Sequence, residues 1–132
     1  MAASHGHAAN PSPERWSPHG PADEVAPGLW RLPMPIPGHT LGGVCAYLVR
    51  DHDGYALFDS GMDIPVCVEA LDRHLAALGV PASAIHTVVA THCHPDHLGQ
   101  AARFRKTSGA TVWLLPQSGR PQAPFRLQAC AC

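Results

Sequence analysis

A chain of 132 residues with a formal net charge of −1 has room for one domain at most. Its basic residues are scattered arginines with Lys106 as the single lysine, which leaves no basic stripe or groove to hold nucleic acid. No apolar run reaches membrane-span length, the start does not read as a signal peptide, and five irregularly spaced cysteines make no disulfide framework.

A cytoplasmic protein without a nucleic-acid or membrane partner is therefore expected. Residues 1–24 are rich in Ala, Pro, His, Ser and Gly and read as a disordered leader, in which His5 and His7 are tail histidines. The fold begins near Val25. Residues 29–34 alternate like an edge strand that Pro33 and Pro35 bring to an end. Residues 37–43 form a loop around His39, and 44–49 form a buried strand. Asp51-His52-Asp53-Gly54 turns the chain tightly into a strand at 55–58, which delivers Asp59 at its end.

Asp63 is a candidate cap, and Pro65 sits in the first turn of the helix that follows. Val68, Leu71, Leu75 and Leu78 give that helix one apolar face, with His74 off the face and solvated. Gly79 and Pro81 stop it. Residues 85–90 are dense in Val and Ile, as expected of a strand covered on both faces, with His86 structural. A helix over 98–108 turns Leu98, Ala101, Ala102 and Phe104 inward and carries Arg103, Arg105 and Lys106 toward its C-terminal half. Gly109 ends it, and 111–115 is another strand. Strand–helix–strand–helix–strand is the pattern of an α/β sheet layer.

Between that buried strand and the second helix lies Thr91-His92-Cys93-His94-Pro95-Asp96-His97-Leu98-Gly99. His92 and His94, two apart, leave extended backbone on the same face and can grip one divalent ion, while Cys93 points away. Pro95 forces a turn. Asp96 and His97 then open the helix, where they can hold a second ion, and Asp96 also suits a helix cap. Zinc fits these ligands, and iron and manganese suit them too.

Thr91, His92, His94, Asp96, His97 and Gly99 fill every fixed position of T-H-x-H-x-D-H-x-G, and here the sequence resembles the metallo-β-lactamase superfamily. Phe58-Asp59-Ser60-Gly61 resembles the D-[ST]-G turn upstream of that motif. The resemblance implies the N-terminal half of an αββα sandwich, one sheet layer with two helices, over residues 25–115. It implies one or two zinc ions on His92, His94, Asp96 and His97, with Asp59 a buried carboxylate beside them. It also implies hydrolysis of a small-molecule ester, thioester or lactone by a metal-bound hydroxide that Asp96 helps to orient. His39 stands where relatives carry a substrate-facing hairpin, and reads equally as an exposed loop histidine. Cys45, where relatives often have asparagine, reads as a small core residue.

Residues 116–132 read as an irregular tail outside the family pattern, and its Cys130 and Cys132 as free thiols. No histidine, aspartate or glutamate follows His97. Relatives take a third histidine, a bridging aspartate and a further histidine from a second half. The chain is therefore expected to be truncated, with little or no turnover on its own, and with an uncovered sheet face suited to self-association. The alternative to a hydrolase is an inactive remnant that binds metal weakly.

Overall fold

The computed structural model describes residues 16–115. The readings of His5, His7 and the rest of 1–15 as a leader, and of 116–132 as a tail with Cys130 and Cys132, lie outside the described residues. Six strands form one mixed sheet in chain order: β1 (Asp23–Ala26), β2 (Leu29–Pro35), β3 (Gly43–Arg50), β4 (Tyr55–Phe58), β5 (Ile85–Ala90) and β6 (Thr111–Leu114). The first four run antiparallel because short turns join them. In the β3–β4 turn Asp51 Oδ1 accepts the Asp53 amide at 2.9 Å, and Gly54 O accepts the Asp51 amide at 3.0 Å. From β4 to β5 and from β5 to β6 the pairing is parallel, which requires crossovers. These are α1 (Pro65–Ala77) and the pair α2 (Pro95–Leu98) and α3 (Ala101–Ser108).

Register sorts the side chains into two faces. Leu48, Leu57, Val88 and Val112 are direct partners across β3 to β6, and all four are buried under the helices. The neighbouring row, Tyr47, Phe58, Val89 and Trp113, lies on the other face, with Tyr47 39% and Trp113 38% exposed. Burial on both faces, expected for 85–90, is therefore not what forms: Thr87 and Val89 are only half-buried. Cys45 belongs to this second face rather than to the core. Trp16 lies against it, its indole N–H donating to Cys45 Sγ at 2.7 Å. Burial pushes the Cys45 thiol up in pKa, opposed by that bond and by Arg31.

Several expectations about the helices and the edge strand are corrected. His74 is 2% exposed, and the buried face of α1 is Cys67, Ala70, Leu71, His74 and Leu75. Its Nε2–H donates to Pro33 O at 2.7 Å, and the Cys67 thiol donates to Pro35 O at 3.2 Å. Pro33 and Pro35 lie inside β2 and aim their carbonyls at α1, so the missing N–H groups take nothing from the ladder with β3. β2 is not the edge: β1 pairs with its first half, and β1 begins at Asp23, ahead of Val25. The expected helix over 98–108 breaks at Gly99 and Gln100, and Ala102 faces solvent. Asp63 does not cap α1; Ile64 holds the cap position and Pro65 the first turn.

Candidate metal centre

Because β4 and β5 are parallel neighbours, the residues that follow them emerge side by side at one end of the sheet. Asp59 follows β4 and donates its amide to Val89 O at 2.8 Å. Its φ of 58° is left-handed, and it is the one non-glycine residue with positive φ among those described. Aspartate tolerates that region better than most residues, and such a conformation in a buried residue marks a site that its surroundings hold in place.

Thr91, following β5, binds Asp59 twice. Its amide donates to Oδ1 at 2.8 Å, and its hydroxyl reaches both carboxylate oxygens at 3.1 and 3.0 Å. With its only proton given to Asp59, Thr91 Oγ1 can only accept from His92 Nδ1, 2.9 Å away. His92 therefore carries its proton on Nδ1 and leaves Nε2 bare for a ligand. His97 is held in the same sense. Its buried Nδ1 lies 3.1 Å from Asp59 Oδ2, in ion-pair contact though out of line for a full hydrogen bond. Its Nε2 lies 3.5 Å from Asp96 Oδ2.

The ligand atoms of His92, Asp96 and His97 all lie within 4.8 Å of one another. The His92 and His97 ring centroids are 4.1 Å apart. The sequence grouping, His92 with His94 and Asp96 with His97, is drawn differently here, since one member of the first pair joins both of the second. His94 is exposed, its ring edge-on to His92 at 4.6 Å between centroids. Two imidazoles turned by a shared carboxylate, plus a second carboxylate, form a donor set that fits a divalent transition ion.

The turn that carries these ligands is clamped from below. His97 O accepts the Ser60 amide at 2.7 Å and the Ser60 hydroxyl at 3.3 Å. Gln100, 1% exposed, donates its amide to Gly61 O at 3.2 Å and its Nε2 to Met62 O at 3.2 Å. Gly99 sits so close that a Cβ there would meet Pro95 O at 2.5 Å, Asp63 N at 2.6 Å and Gly61 O at 2.8 Å. Sequence reasoning named Asp59 but missed the parts played by Thr91, Ser60 and Gln100. It also missed the place of His39, whose Nε2 lies 3.6 Å from Asp96 Oδ2. The one available signal was that Thr91 and Ser60 stand inside the two matched motifs. His86 is structural, bridging Asp51 Oδ2 at 2.8 Å and Thr87 Oγ1 at 2.7 Å.

The family model described as metallo-beta-lactamase superfamily matches residues 39–128, more than half of the chain. The chain belongs to that superfamily. The match continues past Leu115, where the motif reading ended the resemblance. A probable metallo-hydrolase, YqjP of Bacillus subtilis (strain 168), is 41% identical over 69 residues, 52% of this chain and 20% of that protein. Among solved structures, the metallo-beta-lactamase family protein TTHA1429 of Thermus thermophilus is similar at 37% identity and a TM-score of 0.63. That alignment covers 67% of this chain and 29% of the Thermus chain. A metallo-beta-lactamase of Cronobacter sakazakii is 26% identical with a TM-score of 0.59, over 70% of this chain and 34% of its own. The chain thus spans a fifth to a third of the length of these members of the superfamily.

Proposed function

We propose that this chain carries the metal-binding half-site of a metal-dependent hydrolase, zinc being the first choice, that acts on a small-molecule ester, thioester or lactone. The observation that carries the reading is the common orientation of His92 and His97. Asp59 lies against His97 Nδ1 and, through Thr91, holds His92 Nδ1, while one donor atom from each ring converges with the Asp96 carboxylate within 4.8 Å. Three protein donors with an open position are what a hydrolytic ion uses. When bound, such an ion lowers the pKa of water toward about 7 and polarises a carbonyl oxygen. The protein's part is to hold the donors in place before any ion arrives. Asp96 keeps an oxygen able to accept a proton from, and so orient, an attacking water. His94, exposed beside His92, is the next nearest donor.

A second reading is a chain that binds metal and does not turn over, favoured by the convergence of a single three-donor group among the described residues. One experiment separates the two. Metal per chain is measured by elemental analysis after dialysis against a weak chelator, with His92→Ala as control, and hydrolysis is then assayed across esters, thioesters and lactones. Metal lost in the control together with chelator-sensitive turnover supports the hydrolase. Metal without turnover supports the second reading, and no metal in the wild type overturns both.

A further inference from the structure

We infer that His39, in the loop between β2 and β3, is a positioning residue that braces Asp96 as a proton donor and is not itself a ligand. The inference rests on the metal reading above. The loop is tied at its base, where the Ile36 amide donates to Gly42 O at 3.0 Å, and again where the Gly42 amide donates to His39 O at 2.9 Å. Within it the Leu41 amide donates to His39 Nδ1 at 3.2 Å. A backbone amide can only donate, so Nδ1 holds a lone pair and the proton of the neutral ring sits on Nε2. That Nε2–H faces Asp96 Oδ2 across 3.6 Å, ion-pair distance but longer than a full hydrogen bond, with the two side chains 26% and 19% exposed.

His39 is thus turned the opposite way from His92 and His97. His92 is held by its Nδ1 proton and presents a bare Nε2, and His97 turns its Nδ1 to Asp59, whereas His39 is held at a bare Nδ1 and presents a protonated Nε2. A protonated ring nitrogen does not ligate metal, but it does orient a ligating carboxylate, and outer partners of this kind are worth roughly 10–100-fold in metal affinity. A loop far upstream in sequence, and absent from the motif, therefore sets how Asp96 is held.

Two substitutions separate the brace from the loop's own fold. In His39→Asn the side-chain oxygen can still accept the Leu41 amide, while the donor toward Asp96 is lost. In His39→Gln an amide N–H replaces Nε2–H near its own position. The dissociation constant for Zn²⁺ is measured on the full chain by competition with a chromophoric chelator, and thermal melts of the metal-free proteins check the fold. His39→Asn is expected to weaken Zn²⁺ about tenfold and His39→Gln to stay within about threefold of wild type. Wild-type affinity in His39→Asn would overturn the inference. So would equal loss in both variants with unchanged melts, which is the signature of a direct ligand. A wild-type chain that holds no Zn²⁺ would remove the metal reading first, and this inference with it.

Discussion

Removing the Asp59 carboxylate tests whether fold and site share one support. Asp59→Ala takes away the acceptor for the Thr91 amide and hydroxyl, and hydrogen bonds to a charged group contribute about 1.5–3 kcal/mol each. Thr91 is exposed, so water replaces part of that loss, and the lower end of the range applies to the pair taken together. The left-handed backbone adds about 1 kcal/mol when alanine replaces a residue that tolerates it. The sum is about 2.5 kcal/mol, a large part of the stability of a small domain. Asp59→Asn keeps the backbone preference and one oxygen for the Thr91 amide, and is expected to cost about 1 kcal/mol. Urea denaturation of metal-free protein, followed by tryptophan fluorescence, measures both. Zn²⁺ affinity should fall by roughly 10–100-fold in either variant, because neither holds the His97 and Thr91 protons as a carboxylate does. An Asp59→Ala protein within about 0.5 kcal/mol of wild type, or equal to Asp59→Asn, would refute the reasoning.

Gly99→Ala is expected to cost about 1–3 kcal/mol or more, because all three atoms its Cβ would meet are backbone and have no rotamer to escape through; an unchanged urea midpoint would contradict the close packing. His74 predicts a pH dependence of known sign. Burial holds its pKa below the ordinary imidazole value, against the opposing Pro33 bond and with Arg73 adding to the lowering. The unfolded chain therefore takes up the proton first. The contribution is whole above the unfolded value of about 6.5 and is lost as pH falls through the lower folded value. Urea midpoints should fall between about pH 7.5 and about pH 5, and fall less in His74→Gln, which keeps an N–H for Pro33 O; equal slopes would sink the assignment.

What could be read from the sequence was whatever depends on near neighbours. The β3–β4 turn, the helix after Asp63, the strand at 85–90 and the motif itself are local patterns of spacing and turn chemistry, and they formed where expected. What failed depends on partners far along the chain. His74 looked solvated because a histidine beside Leu75 counts as polar. Its burial follows from a carbonyl on Pro33, 41 residues away, that β2 leaves unpaired. The break at Gly99 and Gln100 was hidden for the same reason, since Gln100 gives its amide to Gly61. Of the four expected ligands, His92, Asp96 and His97 bring their donor atoms together, and His94 stands exposed beside His92. Which nitrogen of each ring is bare is decided by Asp59 and by Leu41, and spacing within the motif carries no trace of either.

The same contacts explain why these residues call for a cation. Among the described residues, the ion-pair partners found for Asp59 and Asp96 are the imidazoles of His97 and His39. Asp59 is 8% exposed and the Asp96 side chain 19%, so two carboxylates are drawn partly out of water around one ring. A divalent ion between His92, Asp96 and His97 would bring positive charge to the point where their donor atoms converge. The Asp59–Thr91 pairing that creates this demand arises from β4 lying parallel to β5. Metal affinity is therefore expected to fall in any variant that unpairs those two strands, as it is in variants that remove a side chain at the site.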